Sequence, residues 1–211
     1  MVKTTDITMI VDRSGSMGNL QEQVIKSYNE FLSEQKSVDG KARVTLIQFD
    51  DQYEVNYEGI DIAEAKELNA QTYEPRGMTA LNDAIGRTIA CMKTRLKDSA
   101  DSVIVVITTD GLENASSEFS AKQIKKMIKE CEDVLGWKFI YLAADDASFD
   151  EHARMGMNEG RSFKTGRGRK GYGNASSILS AKLGLYRVSG CEEDLDFTPK
   201  ERRDAEDLGD S

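Results

Sequence analysis

Ile7-Thr8-Met9-Ile10-Val11 runs directly into Asp12-Arg13-Ser14-Gly15-Ser16, after which Leu20, Val24, Tyr28, Phe31 and Leu32 recur at helical spacing. An unbroken apolar run suits a strand covered on both faces, as in a parallel sheet. The same alternation continues down the chain. Val44 to Phe49, Val103 to Thr108 and Phe139 to Ala143 read as further strands. Helical spacing returns in Leu81, Ile85, Ile89, Met92 and Leu96, in Ile124, Met127, Ile128 and Cys131, and in Ile178, Leu179, Leu183 and Tyr186. Tyr53 to Tyr57 alternates just after Asp50-Asp51, which predicts an antiparallel edge hairpin. Together these predict an α/β fold: a doubly wound, mostly parallel sheet with one antiparallel edge strand and helices on both faces.

The 211 residues suffice for a full core without a metal or disulfide staple. No apolar run approaches the length needed to cross a bilayer. Cys91, Cys131 and Cys191 are odd in number and match no metal-ligand spacing, and the N-terminus lacks a signal-peptide pattern, so a reducing cytoplasm is expected. The net charge of -9 is unevenly spread. Gly160 to Gly190 holds seven bases and no acid, whereas Cys191 to Ser211 holds nine acids and three bases. The expected organisation is one domain over residues 1–190 and an acidic tail over 191–211, flexible by its composition or else folded back on the basic loop or docked on a partner.

In a doubly wound sheet, ligands gather at the carboxyl ends of the strands. Three polar clusters fall there. Asp12, Ser14 and Ser16 follow the first strand; Thr79, in Gly77-Met78-Thr79-Ala80-Leu81, opens a helix; and Asp110 closes the run Thr108-Thr109-Asp110-Gly111. Singly, each also suits an ordinary turn or helix cap. Jointly, three hydroxyls and two carboxylates suit a hard divalent cation, Mg²⁺ first, with Mn²⁺ or Ca²⁺ as substitutes. The two acids balance the ion and leave it able to accept an external carboxylate.

These three motifs, Asp12 to Ser16, Gly77 to Ile85 and Thr108 to Asn114, resemble the von Willebrand factor type A family and its metal-ion-dependent adhesion site. The resemblance runs from about residue 4 to 188. It implies the Rossmann-like fold of that family, and Mg²⁺ held by Ser14, Ser16 and Thr79 directly or nearly so. It further implies that Asp12 and Asp110 act largely through ordered waters, with a partner's Glu or Asp completing the shell. The uninterrupted chain and Tyr141 to Ala147 look most like intracellular bacterial or bacteriophage members. The function so implied is a non-catalytic, metal-dependent protein-binding module that recruits or regulates a partner.

Two alternatives stand beside it. A metal-assisted hydrolase would use Asp12, Asp110 and Mg²⁺ to activate water. The chain, however, shows no nucleophile elbow or P-loop, and its sole histidine, His152, reads as lying on a short surface helix. A nucleic-acid or phosphate binder would use the glycine-rich loop 160–173. Its Arg161, Lys164, Arg167, Arg169 and Lys170 would grip phosphates while Phe163 and Tyr172 stacked on a base. The same five bases, with Met78 beside Thr79, are candidate contacts for a partner or anion. The loop is expected to be mobile, with Asn174 as the cap of the last helix. Tyr53 and Tyr57 are expected to pack, and Tyr73 is a candidate for an apolar rim.

Overall fold

The computed structural model describes residues 4–97, 99, 101–144, 146–165 and 168–206. A six-stranded sheet forms from β1 (Thr5–Asp12), β2 (Ala42–Phe49), β3 (Tyr53–Asp61), β4 (Ser102–Thr109), β5 (Lys138–Ala143) and β6 (Ser162–Lys164), in the order β3-β2-β1-β4-β5-β6. Only β3 runs antiparallel. In the centre, β1 registers against both neighbours over most of its length, Ile10 lying opposite Ile47 and Ile107. Each of these side chains is essentially fully buried. Burial of that kind contributes roughly 1.5–3 kcal/mol per residue, and it explains why near-continuous apolar runs mark these strands.

Helices cover both faces. α1 (Gln21–Ser37) and α5 (Arg169–Ser189) pack on one side with Ile7, Met9 and Val11. On the other, α2 (Leu81–Arg95) and α3 (Ala121–Leu135) join Ile10, Val105 and Ile107. The shorter α4 (Asp146–Arg154) follows β5, and α6 (Pro199–Glu206) ends the described chain. No described helix is long and apolar enough to cross a membrane. Thus the predicted sheet, its antiparallel edge and the two helical layers are present.

The C-terminal segment departs from the flexible reading. Residues 192–206 form a short 3-10 turn and α6, and Leu195, Phe197 and Ala205 are buried in the α1/α5 layer. Of the readings of the tail, the described part follows the second: it folds back on the basic stretch, and its acids find partners far back in the chain. Glu192 meets Lys138 at 2.5 Å and Arg161 at 3.4 Å; Asp196 meets Arg161 at 3.2 Å; Glu201 meets Lys182 at 3.2 Å. Arg202 donates to the Glu159, Gly160 and Ser162 carbonyls, and the Phe197 ring lies 4.0 Å from that of Phe163. The acidic segment is therefore a strap across the basic stretch and the β6 edge. Residues 207–211 lie outside the described residues.

In the glycine-rich stretch, of which residues 166 and 167 lie outside the described residues, 169–173 are helical and not loop. α5 begins at Arg169, five residues before Asn174, so Asn174 lies within the helix and donates to the Asp204 carbonyl instead of capping. Gly173 sits where α1 comes close: a Cβ there would stand 2.8 Å from Gln23 Nε2. Its lack of a side chain serves helix packing, not loop mobility.

Candidate metal centre

Three segments meet at the carboxyl end of β1 and β4. The segment after β1 turns into a 3-10 helix, Gly15–Leu20, which presents Ser14 and Ser16. Their hydroxyl oxygens are 3.0 Å apart, and Ser16 donates to Asp110 Oδ1 at 2.6 Å. A Cβ on Gly111 would stand 2.8 Å from Thr79 Oγ1 and 3.4 Å from Ser16 Oγ, so glycine lets these two hydroxyls close over the chain beside Asp110. Beneath them, Asp12 is fully buried. It accepts from the Ser14 N–H at 2.7 Å and the Thr109 hydroxyl at 2.6 Å. The structure thus gathers all five predicted donors, Asp12, Ser14, Ser16, Thr79 and Asp110, into one crevice.

Thr79 is not a helix cap. Ala80 holds that position and α2 starts at Leu81. Its unpaired N–H groups are satisfied instead by the segment after β4: Glu113 Oε2 accepts from Asn82 N at 2.8 Å and Ser116 Oγ from Asp83 N at 3.0 Å. In return, the Asp83 carboxylate accepts from the N–H groups of Ser117, Glu118 and Phe119. Asn114 clamps Thr79 from both sides, accepting from Thr79 N at 2.9 Å through Oδ1 and donating its own N–H to Thr79 O at 3.0 Å. The Thr79 hydroxyl is thereby relieved of the capping role its place in the chain suggests.

The electrostatics fit a cation. Burial pushes the Asp12 carboxyl up to about 6, against the opposing pull of its bonds from Thr109 and Ser14, and neighbouring Asp110 adds to the rise. The adjacent guanidinium does not relieve it. Arg13 is turned into the interior, where its Nε meets Asp50 at 3.0 Å and its Nη1 meets Glu54 at 2.6 Å. Asp50 also holds Arg76 at 2.9 Å, joining the β2 end to the approach to Thr79. Two carboxylates and three hydroxyls lie in these neighbouring segments, a mostly hydroxyl and carboxylate oxygen set of the kind Mg²⁺ takes. Among the described residues no group of three or more His, Cys, Asp or Glu forms a metal cluster.

Several residues that build this crevice were not singled out in the sequence. Thr109 bonds Asp12 once and Asn114 bonds Thr79 twice, and nothing in their spacing announces it. Tyr73 is wholly buried and donates to the Asp12 carbonyl at 2.6 Å, so it supports the crevice from below and forms no rim. Tyr53 and Tyr57 pack as expected, their hydroxyls meeting those of Thr88 and Tyr28.

The remaining candidates divide. Met78 is 55% exposed. Arg161 is buried against Glu192 and Asp196, and Lys164 lies 3.9 Å from Glu206. Arg169 is exposed, pairing with Glu22 at 2.5 Å and donating to the Asn19 carbonyl at 3.4 Å, and Lys170 is exposed beside it. Arg167 lies outside the described residues. Phe163 and Tyr172 are buried, so the aromatic half of the stack-and-grip reading fails: both rings are core, not surface. His152 does lie on the short helix α4, whose Asp150, Ala153 and Arg154 are exposed, but on its buried side; its ring lies 4.2 Å from Phe149, and its Nδ1 contacts the Phe149 carbonyl.

Comparison with known structures shows the fold. The vWF domain of the type V pilus tip protein Mfa5 from Porphyromonas gingivalis aligns with a TM-score of 0.67 at 10% identity, covering 88% of this chain and 96% of that one. The pilus adhesin SpaC from Lactobacillus rhamnosus GG gives 0.66 at 15% identity, covering 90% of this chain and 30% of SpaC. Proximal thread matrix protein 1 from the mussel byssus gives 0.61 at 13% identity, covering 89% of this chain. The chain spans less than half of the mussel protein's length. No curated protein matches the sequence. The profile of the von Willebrand factor type A domain matches residues 6–167, and the chain belongs to that family.

Proposed function

We propose that this chain is a divalent-cation-dependent protein-binding module that engages a partner through an Asp or Glu carboxylate and performs no catalysis of its own. The observation that carries this reading is the convergence of Ser14, Ser16, Thr79 and Asp110 above a buried Asp12 whose charge no basic side chain answers. Ser14, Ser16 and Thr79 would hold Mg²⁺, with Asp12 and Asp110 supplying the balancing charge. Bound there, the ion would offer a Lewis-acidic position to an incoming carboxylate. The chain's own part is to fix the hydroxyls through Asn114 and Thr109 and to keep Asp12 away from bulk water. That the pilus neighbours include an adhesin agrees with a binding role. The three free thiols, together with the resemblance to intracellular bacterial and bacteriophage members, support a reducing cytoplasm as the setting.

The test is a Mg²⁺ titration of the chain and of Ser14→Ala, followed by thermal unfolding. Mg²⁺ is expected to raise the melting temperature of the parent, EDTA to reverse the rise, and Ser14→Ala to abolish most of it. An identical response in both proteins would sink the assignment. Turnover of a phosphoester in Mg²⁺ or Mn²⁺, lost in Asp12→Ala, would replace the binding module with an enzyme.

A further inference from the structure

The two walls of the metal crevice differ in chemistry. Over the α2/α3 layer, Met78 precedes Thr79 and Leu112 follows Gly111, and these side chains are 55% and 48% exposed. Their loops are one unit, joined by the paired bonds between Thr79 and Asn114 and by the close approach of Gly111 to Thr79. Large apolar side chains left in water next to a polar site commonly mark a contact surface. Over the α1/α5 layer the wall is cationic. Exposed Arg169 and Lys170 open α5, and Arg169 is tied to Asn19 and Glu22, the end of the same 3-10 turn that presents Ser16 and the start of α1. The Arg169–Glu22 pair is open to solvent on both sides, with 60% and 76% of the side chains exposed, so the guanidinium is available to a stronger anion at small cost.

Resting on the metal-carboxylate reading above, we infer that the partner is an acidic peptide segment lying across the crevice, with a large apolar residue on one side of its metal-bound carboxylate and a second acid on the other. The apolar residue sits against Met78 and Leu112, and the second acid against Arg169 and Lys170. Charge complementarity selects this occupant, because a basic segment is repelled by Arg169 and Lys170 and a neutral one gains nothing from them. The sidedness also makes the site directional, since a segment threaded backwards would bring its acid onto the apolar wall.

Acetylated, amidated pentapeptides centred on Asp give the test, read by chemical-shift titration of the isotope-labelled full chain in Mg²⁺ and in EDTA. The set has Gly on both sides of the Asp, Leu on one side, Glu on one side, and Leu and Glu on opposite sides in both orders. A leucine flank is expected to tighten binding about fivefold and a glutamate flank about threefold at low salt, with one order of the double peptide tightest. Met78→Ser with Leu112→Ser should cancel only the leucine gain. Arg169→Gln with Lys170→Gln should cancel only the glutamate gain, as should raising NaCl to about 500 mM. Both variants should bind the glycine-flanked peptide like the parent, which separates a lost contact from a lost fold. Equal, Mg²⁺-dependent affinity across all peptides would overturn the two-walled site and leave the metal-carboxylate reading standing. Mg²⁺-independent binding of the glutamate peptides would overturn it as well. If no peptide bound in Mg²⁺, the metal-carboxylate reading itself would fall.

Discussion

Two aspartates on the same strand are both sealed from solvent, yet the protein treats them in opposite ways. Asp6, near the amino end of β1, receives two bonds from Arg95, at 2.6 and 2.9 Å, and a third from Arg43 at 3.3 Å. Asp12, at the carboxyl end, is held among the described residues by neutral donors, the Ser14 N–H and hydroxyl and the Thr109 hydroxyl. The first charge is neutralised within the fold, so it is structural. The second is held by neutral donors, and its carboxyl rises to about 6. A buried, ionised carboxylate without a counter-charge is costly. Its persistence where three loops present hydroxyls is intelligible if a cation from outside completes the site.

The most forceful way to break this contrast is Asp6→Asn. It would leave Arg95 and Arg43 without their buried counter-charge, with an expected loss of roughly 3–5 kcal/mol in urea unfolding, the same with and without Mg²⁺. Asp12→Asn should act in the other direction. Without metal at neutral pH it is expected to stabilise the fold by about 2 kcal/mol, while Mg²⁺ no longer stabilises it. A large loss of metal-free stability in Asp12→Asn would erase the distinction between the two residues.

A pH series sharpens the comparison further. A carboxyl raised from 3.8 to about 6 by folding binds its proton more tightly in the native state than in the unfolded one. Its contribution to metal-free stability therefore falls as pH rises from about 4 through about 6 and is level above that. The difference in unfolding free energy between the parent and Asp12→Asn should follow this sign; the opposite slope would place the titration elsewhere. The smallest expected effect belongs to Asn114→Ala. It removes the acceptor for Thr79 N and should weaken Mg²⁺ about threefold to tenfold while costing about 1 kcal/mol in the metal-free protein.

The sheet was legible because strands buried on both faces carry near-continuous apolar runs, and the middles of β1, β2, β4 and β5 have that character. The five candidate donors could be named because they follow strands or precede a helix, where a doubly wound sheet collects its ligands. What could not be read acts at long range. β6 is three residues long, too short to show a period. That the acids of 192–206 could answer the basic stretch was legible from their charge, but which of them meet Arg161 and Lys182 was not. Arg13 lies inside the metal motif but serves Asp50, and no local pattern distinguishes a guanidinium turned inward from one turned out. Thr109 and Asn114 escaped for the same reason, since each is defined by its partner.

The C-terminal strap bears on where this domain ends. The family profile's match stops at residue 167, but the folded layer continues to Ala205, which is completely buried, and includes Leu195 and Phe197. The matched stretch and the folded layer are thus different lengths of the same chain. A transplant cut at residue 167 would carry every proposed metal donor but leave α5 behind, with α1 alone on that face of the sheet. One cut before Glu192 would keep α5 and still uncover Lys138, Arg161 and Lys182 together, turning a neutralised edge into a cationic, adhesive one.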